Sequence, residues 1–389
     1  MGAWDHGLGG CESGFTLPDV TDSNFIWASC YGNEVTTYDY RTKIARSVSP
    51  WLHTLDSEPD KAKYRCHWTP PLVIDPFDHK RVYYGCQVIF RTTNGGTHWN
   101  VISPDLSHND PKYIVSSGGI VGDNLGQFYG EVVFSIAPSE VQKDLVWAGT
   151  NDGKVWYTTN AGAEGEAKWI DVTKNIPGLP GTMGVISKIE PSHFDAATAY
   201  IAVDFHLMDN RTPWLFKTTD FGKSWKKISG DLPTGHSLSY ARVIAENPNK
   251  KGMLFAGTGH ALYYSMNDGV NWIQMKGGLP AAPVSWIVVQ KQTHDLVVST
   301  YGRGFYIMED MTPLEQGVTP ETVTAAVEFL TPKPAYRGGR GGRADWTFVL
   351  KEAPKNPIAM EVLDEKGAVV RKLADLTGKA GWNLSLIHI

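Results

Sequence analysis

One phrase recurs along this chain and limits what it can fold into. An apolar strand ends near a proline, a polar turn follows, and a second apolar strand ends in small residues. It appears as Phe15-Thr16-Leu17-Pro18 leading to Phe25-Ile26-Trp27-Ala28, then as Val73-Ile74-Asp75-Pro76 leading to Val82-Tyr83-Tyr84-Gly85. Ile136-Ala137-Pro138 leads to Val146-Trp147-Ala148-Gly149-Thr150, and Ile189-Glu190-Pro191 to Ala199-Tyr200-Ile201-Ala202. The next copy runs from Ala245-Glu246-Asn247-Pro248 to Leu254-Phe255-Ala256-Gly257-Thr258. A sixth unit keeps its strands, Trp286-Ile287-Val288-Val289 and Leu296-Val297-Val298-Ser299, but lacks the proline. The marker prolines return at intervals of roughly 50–60 residues, the length of one supersecondary unit that cannot bury its apolar faces alone.

Four units carry a second phrase, Ser/Thr-x-Asp/Asn-x-Gly-x-x-Trp. Its copies hold Asn94, Gly96 and Trp99; Asp220, Gly222 and Trp225; and Asn267, Gly269 and Trp272. In the fourth, Asn160 and Gly162 reach Trp169 only after a small insertion. The Asp or Asn side chain suits a hairpin turn by accepting backbone N–H groups, and Gly takes the positive-φ position. The Trp opens the next strand and covers the apolar face of the hairpin. These corner residues therefore read as structural. Each unit holds about four short strands, the blade of a β-propeller, and residues 1–310 lack helical periodicity. The expected fold is all-β: a propeller of about six four-stranded blades, forming a ring alone or as part of a larger one, then a linker and a truncated immunoglobulin-like β-domain. An array of β-sandwiches is the alternative, but sandwiches do not repeat one motif at this length.

Composition removes other classes. Net charge is −5, with 36 Lys and Arg against 41 Asp and Glu, which argues against a protein built to grip nucleic acid. With 42% hydrophobic and 20% charged residues, the chain is neither disordered nor membrane-embedded, and no apolar run reaches the ~18 residues of a spanning helix. Met1 to Gly10 shows no signal peptide, and the chain is expected to be a piece of a longer protein.

On these phrases the chain resembles the Asp-box (BNR-repeat) propellers, a group that includes sialidases, xyloglucanase-like glycoside hydrolases and the sortilin/VPS10 domain. It looks most like the bacterial sortilin-like, glycosyl hydrolase-labelled group. The phrases behind that narrower likeness are Tyr64-Arg65-Cys66-His67-Trp68-Thr69-Pro70-Pro71, Ile102-Ser103-Pro104-Asp105-Leu106-Ser107 and Ser299-Thr300-Tyr301-Gly302-Arg303-Gly304-Phe305. The resemblance implies a secreted or periplasmic protein that binds a glycan or peptide without a cofactor, or else a glycoside hydrolase or a passive scaffold. In the xyloglucanase-like family the two catalytic aspartates come from separate propellers. Sialidases carry an Arg-Ile-Pro motif, whereas here Ile176-Pro177 follows Asn175.

Residues 1–312 read as the propeller. Pro, Thr and Gly dominate 313–345, ending in Arg337-Gly338-Gly339-Arg340-Gly341-Gly342-Arg343, a linker by composition. Residues 346–383 read as the first strands of an immunoglobulin-like domain. Residues 384–389 match the translation of a sequencing adaptor and are set aside. Four cysteines allow three connectivities. Placement across the first two units favours Cys11–Cys30 and Cys66–Cys86, with four buried thiols as the alternative. No CxxC pair or HExxH helix is present, so no metal is expected.

Candidate function lies at loops. Connections into the inner strands and turns between second and third strands share one face, opposite the Asp-box corners. That open face gathers Arg65, His67, Trp68, Tyr129, Glu131, Tyr240, Arg242 and Trp286 from connections. The turns add Asp152, Asp204, His206, Asp209, Arg211, His260 and Arg303. The long connection from Ser103 to Gln127 adds Asp105, Asp110 and Asp123. Rings beside carboxylates and arginines suit a sugar or a peptide tail equally. For hydrolysis, Glu131, Asp152, Asp204 and Asp209 are the candidate acid and base. The plainer alternative is that Arg65, Glu131 and Arg242 form an ion-pair network tying inner strands together.

Overall fold

The structure is a computed structural model of the 389-residue chain. It describes residues 10, 14–30, 34–51, 59–115, 130–318, 322–333 and 343–388. The chain divides into two compact units, residues 1–288 with 298–306, and residues 289–297 with 307–389. Among the described residues no helix is long and apolar enough to cross a membrane.

Antiparallel four-stranded meanders follow one another in chain order. The first comprises β1 (Thr16–Pro18), β2 (Phe25–Cys30), β3 (Glu34–Asp39) and β4 (Ile44–Ser47); the second β5 (Leu72–Ile74), β6 (Val82–Gly85), β7 (Ile89–Thr92) and β8 (Asn100–Val101). The third holds β9 (Val133–Pro138), β10 (Val146–Thr150), β11 (Val155–Thr158) and β12 (Ile170–Asp171). The fourth holds β13 (Val185–Pro191), β14 (Ala199–Asp204), β15 (Trp214–Thr218) and β16 (Lys226–Lys227). The fifth holds β17 (Ala241–Glu246), β18 (Leu254–Thr258), β19 (Leu262–Ser265) and β20 (Ile273–Gln274). A sixth sheet has three strands, β21 (Val284–Gln290), β22 (Asp295–Thr300) and β23 (Gly304–Met308).

The cores lie between sheets. Side chains alternate along a strand, and in β10 Val146 and Ala148 join Tyr83 and Ile89 of the second sheet. Its Trp147 joins Ile186, Ile201 and Phe216 of the fourth. One sheet on, Ile201 and Val203 of β14 face the third sheet, whereas Tyr200 and Ala202 pack with Leu254 and Ala256 of the fifth. A strand buried on both faces must be apolar throughout, which is why the second strands read as unbroken apolar runs.

Close approach requires small residues at the second-strand ends. A Cβ on Gly149 would lie 2.4 Å from Ile186 Cγ2, and one on Gly257 would lie 2.6 Å from Val284 Cγ1. Phe15, beside β1, meets Trp286 of β21 edge to face with centroids 5.8 Å apart, so the first and last inner strands are neighbours around a common centre.

The Asp-box corners form as local side-chain turns. Asp220 Oδ1 accepts the Ser224 N–H at 2.9 Å and the Thr218 hydroxyl at 2.8 Å, while Thr218 Oγ1 accepts the Gly222 N–H. Asn94 and Asn267 repeat the pattern with His98 and Asn271. Across the insertion Asn160 does the same with Lys168. The corner Trp also reaches the preceding sheet. Trp99 Nε1 donates to the Val48 carbonyl, Trp169 to that of Ile102 and Trp272 to that of Ile228, at 2.7–2.9 Å.

In the second unit, β25 (Arg343–Leu350) pairs antiparallel with β28 (Gly381–His388) and with the short β24 (Val327–Phe329); β26 (Ile358–Leu363) and β27 (Val369–Leu376) form a hairpin. Val323, Leu330 and Val349 form one small core, and Phe348, Leu350 and Met360 another. The stretch read as a linker thus contains β24 and part of a helical turn, α1 (Thr312–Glu315). Three residues are too few to show alternation in sequence. The Gly/Arg-rich residues 334–342 lie outside the described ones, and backbone pairing extends through the terminal segment to His388.

If close packing between sheets holds the first unit together, Gly149→Ala destabilises it by about 1–3 kcal/mol through overpacking. Gly181→Ala, where an added Cβ meets nothing within 4 Å, changes stability by no more than about 0.5 kcal/mol. Urea unfolding of the two variants is the check, and equal midpoints would contradict the argument.

Candidate functional site at the open face

Antiparallel order places the inner-strand connections and second-to-third turns at one end of each sheet, and the corners at the other. The backbone bears this out. Val133 N–H donates to the Cys86 carbonyl and Gly259 N–H to that of Tyr240 at the open end. The corner residues Ala161, Phe221 and Asp268 instead donate to Asp144, Ala197 and Gly252, in the turns after the inner strands.

At the second and third sheets the open face is firmly tied. Cys66, ahead of β5, and Cys86, after β6, are joined in a disulfide; Cys11, the expected partner of Cys30, lies outside the described residues. The Arg65 N–H donates to Gln87 Oε1 at 2.8 Å. Its buried guanidinium donates to Asp105 Oδ2 (2.8 Å), Ser107 Oγ (3.2 Å) and the Glu131 carbonyl (3.4 Å). Asp152, 0% exposed, accepts the His108 N–H at 2.6 Å and its Nδ1 at 2.8 Å. Glu131, 1% exposed, accepts the Asp110 N–H. Three side chains from separate connections thus hold the segment from Asp105 to Asp110.

This clamp carries strain. Glu131 sits at φ +61°, a conformation L side chains rarely adopt. Glu131 Oε1 and Asp152 Oδ1 are buried without hydrogen-bond partners. Burial raises the Glu131 pKa above the ordinary glutamate value, and the nearby Asp152 charge adds to the rise.

The fourth and fifth sheets bring four predicted residues together. Asp204, at the end of β14, has a side chain only 3% exposed. Its oxygens accept from His206 Nδ1 at 2.7 and 2.8 Å and from the His206 N–H at 2.9 Å. The His206 ring stacks on Tyr240, with centroids 4.5 Å apart and planes at 17°. Arg242 Nε lies 3.8 Å from Asp204 Oδ2. Beside them, His236 and His260 pack ring to ring at 5.2 Å, and exposed Leu207, Met208 and Leu238 lie in the same turns.

Other expectations are redistributed. Trp286 does not join that group: it lies within β21 and lines a cavity of about 280 Å³ among the inner strands, with Phe15, Leu72, Phe134 and Lys188. Asp209 is 97% exposed and pairs with Arg211 at 3.6 Å, not with Asp204. Arg303 is exposed in the β22–β23 turn and Trp68 half-buried ahead of β5. Tyr129 and Asp123 lie outside the described residues. Arg65, Glu131 and Arg242 do not share one ion-pair network, since Arg65 pairs with Asp105 and Arg242 with Asp204. His67 packs edge to face on Phe134, and burial brings its pKa down to about 4, so the ring is neutral.

Sequence reasoning missed the charges on the cavity wall. Lys188 Nζ sits 4.1 Å over the Trp286 ring and 3.3 Å from Glu190. His193 bridges Glu190 and Glu140. Burial opposes its charged form, but the bonds to Glu140 and Glu190 prevail and push its pKa up to about 10. The signal was present in Lys188 and Glu190, alternating charges inside an apolar strand. Among the described residues no cluster of three or more His, Cys, Asp or Glu is arranged to hold a metal.

Radial sheets, cores between them and corners at one end define a β-propeller with Asp-box corners. No family model matches the chain. It is 24% identical over 274 residues to a xyloglucanase from a Paenibacillus species, a match covering 68% of this chain and 25% of that protein. The chain thus spans about a quarter of the length of this curated relative. Among solved structures it is similar to a GH74 xyloglucanase from Xanthomonas campestris, with TM-score 0.50 and 17% identity, over 78% of this chain and 44% of that one. The extracellular domain of a hybrid two-component system from B. thetaiotaomicron aligns with TM-score 0.49 and 12% identity, over 87% of this chain and 39% of that one. The likeness to the Xanthomonas structure is one of fold.

Glu131 gives a test of the clamp. Unfolding returns it to water and to a pKa of about 4.3, so the folded chain keeps its proton to higher pH than the unfolded chain does. Stability associated with Glu131 is therefore full below that value and falls as pH rises through the raised folded pKa. Glu131→Gln keeps an acceptor for Asp110 but cannot ionise. Its unfolding free energy relative to wild type increases from acid to neutral pH; parallel pH profiles would show that Glu131 is not destabilised by burial.

Proposed function

We propose that this chain is a recognition propeller of an extracytoplasmic protein and binds a glycan at the open face, opposite the Asp-box corners. The carrying observation is that Asp204, His206, Tyr240 and Arg242, from two adjacent blades, converge there. The sequence likeness to a xyloglucanase supports a carbohydrate ligand over a peptide. The Cys66–Cys86 disulfide supports an oxidising compartment. We read the six sheets as about six propeller blades, and the pairing of β25 with β28 as the opening of an immunoglobulin-like domain.

The second reading is glycoside hydrolysis, favoured by the same relative. A glycosidase needs an acid and a base carboxylate flanking an accessible cleft. Here Glu131 and Asp152 are buried, Asp204 is engaged by His206, and Asp209 stands exposed beside Arg211. Binding is therefore the better account of these residues, and hydrolysis would draw its second carboxylate from elsewhere in a longer protein.

A glycan array followed by calorimetry on wild type and a His206→Ala variant tests the proposal. The expected result is saturable binding to an oligosaccharide, weakened about tenfold or more by the substitution, about 1.4 kcal/mol. Binding to peptides alone would overturn the glycan reading. Release of new reducing ends by the wild-type chain, lost in Asp204→Asn, would favour the hydrolase.

A further inference from the structure

The inner strands share a device that the sequence does not display. In three of them the pairing with the second strand slips by one residue near the open face. The slip leaves out Phe134 between Val133 and Ser135, Ser187 between Ile186 and Lys188, and Arg242 between Ala241 and Val243. A bulge of this kind re-aims the side chain of the extra residue. Two of the three are accounted for: Phe134 packs on His67, and Ser187 donates to the Ala202 carbonyl.

Arg242 is different. Among the described residues its guanidinium makes no hydrogen bond; Nε approaches Asp204 at 3.8 Å, and the side chain is 32% exposed. The other arginines of the blade cores, Arg65, Arg81 and Arg91, are buried and bonded to carboxylates or carbonyls. Arg242 thus presents its planar fork unoccupied. Asp204 does not fill it: its approach to Nε, at 3.8 Å, is beyond hydrogen-bond distance, and its oxygens accept instead from His206 at 2.7 and 2.8 Å. That same pairing occupies His206 Nδ1 and leaves Nε2 for another partner. Two parallel N–H groups of a guanidinium match the two oxygens of a carboxylate, a fit that a lysine cannot reproduce.

We infer that the open-face site selects acidic sugars, with Arg242 taking the carboxylate of a uronic acid residue beside His206. The inference rests on the glycan reading above and names the class of sugar. Asp204 and Asp209 both face this region and oppose an anion, but the first is buried against His206 and the second pairs with Arg211. A sulfate ester offers similar charge without the planar two-oxygen geometry, so the test separates the two.

Calorimetry on the full chain at two salt concentrations would use a uronate-containing oligosaccharide, its carboxyl-reduced neutral counterpart and a sulfated neutral oligosaccharide. The expected result is uronate binding at least tenfold tighter than the reduced form and tighter than the sulfated one. Arg242→Gln and Arg242→Lys, each checked for a wild-type unfolding midpoint, should bring the uronate-to-neutral ratio towards one. Equal affinity for uronate and reduced forms, or a ratio unchanged in Arg242→Gln, overturns the inference while the glycan reading stands. A preference for the sulfated sugar overturns the carboxylate assignment. Absence of binding to any glycan overturns both.

Discussion

A four-stranded sheet of this size has two apolar faces and nothing in its own unit to cover either. The first unit is organised around that constraint. Trp147 and Val146 are neighbours in one strand yet serve opposite cores, so each sheet is stable only between two others. The corner tryptophans add a tie at the outer edge. A buried indole N–H needs an acceptor, and the end of the preceding outer strand offers a carbonyl outside its sheet's ladder; one bond satisfies both. Trp225 shows which part of the arrangement is primary. Its Nε1 has no partner, yet its ring packs edge to face on Trp147 at 6.0 Å. Packing of the ring against a sheet core is common to all four corners, and the hydrogen bond is not.

The same economy separates the two ends of the sheets. Most polar ties between consecutive sheets collect at the corner end: Arg81 with Asp144, His193 with Glu140, the His193 N–H and Tyr200 hydroxyl with Glu246, and Lys217 with Asp268. Side chains at the open end are largely released from that duty. Where they do carry structure, at the second and third sheets, a disulfide, Arg65 and two buried carboxylates hold one connection in place.

Much of this was legible in the sequence because the determinants are local. A corner Asp or Asn meets an N–H four residues on, or eight across the insertion, so the turn is written within one short phrase. The small residues at strand ends are equally visible, although their purpose, contact with the next inner strand, depends on a neighbour far along the chain: Ile186 for Gly149 and Val284 for Gly257. The sequence places Asp204 and His206 in a second-to-third turn and Tyr240 and Arg242 in a connection of the same face; that these four meet follows from blade order. Register is what stayed hidden. Whether Arg242 lies in the ladder or outside it depends on how β17 meets β18. The side of β21 that Trp286 occupies depends on its packing against Phe15 and Lys188. Neither is encoded in a window of neighbouring residues.

Exposure and partnership, more than residue type, decide what the four candidate carboxylates can do. Glu131 has the raised pKa expected of an acid catalyst, but it is 1% exposed and its accessible chemistry is spent on the Asp110 backbone. An unpaired oxygen and a left-handed backbone at one residue cost free energy, and they persist because surrounding ties overdetermine the position. Among the described residues, the charged side chains of the second and third blades at this end are therefore engaged with the protein itself. The fourth and fifth blades differ. There a buried carboxylate is satisfied by its own histidine, and the neighbouring guanidinium is left without a hydrogen-bond acceptor from the protein.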